Sequence, residues 1–129
     1  METLQAPKLQ TTEGNVVIFR QHNLTELSLP ALQSAGIVGV VISSLRTIFV
    51  PSLASGGLVM HQVALLEYLN APSLVSVSES IGATDCPMLV EVEMPMLTSV
   101  GDTVEFSDCP NLARIHLPLL QEAGAFVYD

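Results

Sequence analysis

Tryptophan is absent, and the aromatic side chains are four phenylalanines and two tyrosines, 5% of a 129-residue chain. Charge is thin as well: Asp, Glu, Lys and Arg make up 13% of the residues, about half the usual share. Four residues are basic (Lys8, Arg20, Arg46, Arg114) against thirteen acids, for a net charge of −9. A chain so poor in cations is not built to hold a phosphate backbone, and no nucleic-acid partner is expected. Two cysteines are too few for a disulfide framework, and Cys86 and Cys109 lack the CxxC spacing of a zinc site. Long apolar runs are missing too. Mean hydropathy is +0.50, yet the most apolar stretch is Ile37 to Ile42, where about 20 residues are needed to cross a bilayer. The opening Met-Glu-Thr-Leu-Gln-Ala-Pro has neither the basic nor the apolar region of a secretory leader, so none is expected here. Disorder is excluded by a hydrophobic content of 49%, and one domain over residues 1–129 is expected.

What the chain does have is a repeat. Pro7, Pro30, Pro51, Pro72, Pro95 and Pro118 are spaced by 23, 21, 21, 23 and 23 residues, each with leucine two positions later. Pro87 and Pro110 are also 23 apart. Registered on Leu24, Leu45, Leu66, Leu89 and Leu112, the repeats give further apolar columns. One holds Leu27, Ile48, Leu69, Val92 and Ile115; another Leu29, Val50, Ala71, Met94 and Leu117. Eight before the leucine stand Val16, Ile37, Leu58, Ile81 and Val104, and three before it Gln21, Ile42, Val63, Cys86 and Cys109. Glycine recurs at Gly36, Gly57, Gly101 and Gly124, as expected at a tight turn or a positive φ.

Segments between columns alternate with period 2, as in Leu112-Ala-Arg-Ile-His-Leu117, and proline or glycine interrupts any helix. Each repeat therefore reads as one coil with two or three short strands. Five to six coils of 21–23 residues, stacked in parallel about 4.8 Å apart, make an all-β solenoid roughly 25 Å tall.

The unit Cys-Pro-x-Leu-x-x-Val/Ile-x-Met/Leu-Pro-x-Leu-x-x-Val/Ala-Gly, read at Cys86 to Gly101 and Cys109 to Gly124, resembles the receptor L-domain type of leucine-rich repeat. That type occurs in insulin and EGF receptor ectodomains, fungal GPI-anchored cell-wall proteins and BspA-like surface proteins. The resemblance covers residues 4–127 and implies a short right-handed parallel β-helix used for recognition or adhesion, at a cell surface or outside the cell. The alternative, the curved α/β horseshoe, is disfavoured by the strand-like second half of each repeat.

Catalytic signatures do not emerge. His22, His61 and His116 fall in different columns, and no GxSxG, P-loop, HExxH or GxGxxG occurs, so no enzyme and no cofactor is expected. Cys86 and Cys109 share an inward column of adjacent coils, which favours stacked free thiols over a disulfide. Residues 79–129 hold nine acids against Arg114 alone, a balance of −8. Asp85, Asp108 and Glu105 group there, which reads as a solubilising end, with a weak Ca²⁺ site the alternative. Asn23-Leu-Thr25 is a bare glycosylation sequon.

The main candidate site is apolar. By this register the outward columns of one strand read Val17, Val38, Val59, Gly82, Glu105 and Phe19, Val40, His61, Thr84, Ser107. Val17, Phe19, Val38, Val40 and Val59 would then face solvent, marking a contact surface for a protein partner or a second copy. After Pro118-Leu-Leu the chain runs out within the strand equivalent to Val104–Phe106, so the last coil reads as unfinished. The expectation is a non-catalytic recognition or adhesion module, with a self-associating structural protein as the alternative.

Overall fold

A computed structural model describes residues 2–129 as thirteen strands with no helix among them. Coil by coil they are β1 (Glu2–Gln5), β2 (Val16–Phe19), β3 (Leu24–Ser28), β4 (Ser34–Ser43), β5 (Thr47–Phe49), β6 (Ser55–Val63) and β7 (Tyr68–Asn70). They continue as β8 (Ser76–Val77), β9 (Ile81–Thr84), β10 (Glu91–Glu93), β11 (Ser99–Ser107), β12 (Arg114–His116) and β13 (Glu122–Tyr128). Every pairing is parallel and joins one coil to the next, giving a β-solenoid of about six turns. The main sheet runs β13-β11-β8-β6-β4-β2, with β9 between β11 and β6. The second face has two pieces, β1-β3-β5 and β7-β10-β12. Among the described residues no helix is long and apolar enough to cross a membrane.

The prolines set the coil. All eight follow the first residue of a turn closed by an i→i+3 bond, as in Leu32 N–H to Leu29 O, Leu74 N–H to Ala71 O and Leu112 N–H to Cys109 O. Proline's fixed φ suits that second position, and its missing N–H costs nothing there. In the inner coils the leucine closing each turn points inward, whereas Leu9 of the first coil is exposed. Leu32, Leu53, Leu74 and Leu97, with Leu45, Leu66 and Leu89, are fully buried in one continuous core.

Two expectations need correction. The recurring glycines are not at positive φ; only Gly56 and Gly82 are. Gly101 stands where the preceding coil passes, so that a Cβ would strike the Ser78 carbonyl oxygen. It is there for space. The second correction is one of register. Val16 pairs with Val38 and Ile18 with Val40, then Val38 with Leu58 and Val40 with Met60. Val38 and Val40 are therefore fully buried, and Ile37 and Val41 take the outward positions.

The slip has a local cause. Each coil leaves the main sheet through a left-handed residue, Arg20, Ile42, Gln62, Asp85 or Asp108 (φ 52–55°). In four coils the column leucine follows four residues later; after Ile42 it follows three later. Ser43 closes this tighter corner, its Oγ accepting from Leu45 N–H and donating to Gln21 O. Counting back from Leu45 thus overshoots by one, and a one-residue shift exchanges the two faces of a strand. Ser43, not Ile42, occupies the inward column beside Val63.

Candidate functional site

The main sheet offers a flat outer surface whose columns now read Val17, Gly39, Val59, Gly82, Glu105, Val127 and Phe19, Val41, His61, Thr84, Ser107. Ile37 lies in a third column beside them. The apolar patch survives the change of register with altered membership. Val17, Phe19 and Val59 stay, Val38 and Val40 leave for the core, and Ile37 and Val41 replace them. Val17 is 58% and Phe19 51% exposed. The swap had no sequence signal except the stepped corner, because every residue of Ile37–Ile42 except Gly39 is apolar and β-branched.

The borders of the patch differ in charge. At one corner the Arg20 guanidinium carbon sits 5.0 Å from the Phe19 ring centroid, a cation–π arrangement. At the other end Glu105 accepts from Ser107 Oγ at 3.1 Å. Between Val59 and Glu105, over Gly82, lies a notch of about 70 Å³, walled by Ser80, Thr84 and Thr103, with room for little more than one small side chain.

The remaining candidates are dispersed. His22 is exposed while His61 and His116 are half-buried, on different strands or corners. Among the described residues no group of three His, Cys, Asp or Glu side chains converges on a metal position. Asp85 and Asp108 occupy the left-handed corner, a conformation their short polar side chains tolerate well.

Cys86 and Cys109 are free thiols, Cys86 buried and Cys109 half-buried. Their sulfurs lie 3.5 Å from Thr84 O and 3.3 Å from Ser107 O respectively. Burial raises both, Cys86 from 9.0 to about 11. The native state thus keeps a proton that the unfolded chain releases. This stabilisation is complete below about pH 9 and is lost as pH rises to about 11. Two pKa units correspond to about 2–3 kcal/mol. Urea unfolding at pH 7 and 10.5 should show the midpoint falling, and Cys86→Ala should remove most of the pH dependence even though it lowers stability throughout.

No family model, curated protein or solved structure matches this chain.

Proposed function

We propose that this protein is a non-catalytic recognition module that binds a protein partner through the apolar half of its main sheet. The observation that carries the reading is the grouping of exposed Val17 and Phe19 with half-buried Ile37, Val41 and Val59 on one side of the paired strands β2, β4 and β6. Contiguous apolar surface on a small protein marks a contact site. The likeness of the repeat to receptor L-domains, coils used for recognition or adhesion, supports the same reading. A partner suited to this face is apolar at its centre, with an acidic group toward Arg20 and a hydrogen-bond donor toward Glu105.

A second reading, self-association, is favoured by the charge distribution. The patch lies in the half of the chain whose balance is −1, and the other half carries −8. A two-fold pairing of the patches would let the acidic halves diverge. Photo-crosslinking from a benzoylphenylalanine placed at position 19 separates the two. Adducts with a foreign chain, absent when Val41→Glu is also present, support recognition. Adducts between copies, with a doubled mass in sedimentation, support assembly. Adducts from a control at position 116 equal to those from position 19 would defeat both.

A further inference from the structure

The second face is broken at one step. β5 and β7 belong to consecutive coils, but the ladder joins β5 to β3 and β7 to β10 and omits the pairing between them. Behind this gap the main sheet passes through β4, β6 and β9 with its pairing intact. Outside the gap is a cleft of about 400 Å³, within the size range of small-molecule sites. Arg46, Thr47 and Phe49 form one wall, and Tyr68 and Asn70 the other.

The lining is unusual for this chain. Two of its few aromatic side chains face the cleft, Phe49 at 49% and Tyr68 at 56% exposure. In the 21-residue register Thr47 stands beside Tyr68 and Phe49 beside Asn70, so each wall offers one ring and one hydrogen-bonding group, placed diagonally. Arg46 is the only charged residue in the lining. The other clefts have acidic walls, with Asp108 and Asp129, Glu2, Glu105 or Glu93. In a protein of net charge −9, this is a cleft with a cation and no acid of its own.

We infer that the cleft binds a small aromatic carboxylate, its ring between Phe49 and Tyr68 and its carboxylate on the Arg46 guanidinium. Offset or edge-to-face packing on two rings selects a planar ligand. The planar fork of arginine matches a carboxylate in bidentate fashion. The surrounding negative field disfavours polyanions, which limits the ligand to a small charge. The site lies on the second face and the apolar patch on the main sheet, so its failure would leave the recognition reading standing.

The test is a titration of the full chain with 2-naphthoate, followed by amide chemical shifts, with the neutral 2-naphthamide as isostere. Saturable binding is expected, with shifts centred on residues 46–51 and 68–72. The amide should bind at least about tenfold more weakly, and Arg46→Gln should weaken naphthoate by a similar factor. Arg114→Gln, which alters the same face beyond the gap, should change binding less than about twofold. Equal binding of acid and amide, an unaffected Arg46→Gln variant with native circular dichroism, or no saturation by ~10 mM would overturn the inference.

Discussion

Gly82→Ala is expected to lower the stability of the protein by about 3–5 kcal/mol, read as the shift of the denaturant midpoint. Gly82 has φ +154°, and a Cβ built on it would run into the carbonyl oxygen of Glu105 in the next coil, with Glu105 C at 2.9 Å and N at 3.1 Å. Glu105 cannot move aside, because β11 is paired to β9 on one side and β13 on the other. The backbone strain costs about 1–3 kcal/mol and the overpacking a similar amount. Against a total of about 5–15 kcal/mol for a domain, that is a large fraction. Gly39 supplies the control in the same outward column. Its Cβ would lie 3.7 Å from Ile37 Cγ2 and 3.9 Å from Val59 O, ordinary contact, and its φ is not positive. Gly39→Ala should therefore be neutral or stabilising by up to about 1 kcal/mol, since it restricts the unfolded chain. Similar losses from both variants would mean that Gly82 is not held against Glu105.

Much of this architecture was legible because its punctuation is chemical. A proline at the second position of a turn and a leucine at the fourth define a corner in any coil, and these columns locate the buried leucines without knowledge of the strands. The face of each strand was harder to read. In Arg114-Ile115-His116 polar residues flank an apolar one and the inward side is evident. In Ile37–Ile42 both faces are aliphatic, so only the length of the corner fixes the register, and corner length is set by Ile42 and the Ser43 hydroxyl. The cleft was not legible at all. Phe49 and Tyr68 sit in ordinary outward columns, and nothing in the residues between them announces that the ladder stops. A missing hydrogen-bonded step belongs to the backbone geometry of two coils together, not to the pattern of either.

Val40→Glu and Val41→Glu, neighbours in one strand, should differ sharply in stability. Val40 is fully buried between Ile18 and Met60, with no partner for a carboxylate. A carboxyl group in such a place stays neutral only by a pKa raised about 3–5 units; keeping its proton at pH 7 costs about 3–4 kcal/mol, and burying the neutral group in a packed core adds about 1–3 more. Val40→Glu should therefore be largely unfolded at neutral pH by circular dichroism. The folded pKa lies above the unfolded value, so the ionisation part of the penalty vanishes below about pH 4 and grows as pH rises. The variant should accordingly be better folded at pH 4.5 than at pH 7. Val41, outward between Phe19 and His61, is half-buried. Val41→Glu should cost about 1 kcal/mol or less, leave the fold intact and remove the crosslinks formed from position 19. Had the register counted back from Leu45 held, Val40 would face solvent and Val41 would take the corner place of Arg20, Gln62, Asp85 and Asp108, so both substitutions would be mild. Two unfolding curves thus decide which side of β4 meets solvent, and with it which residues a partner can touch.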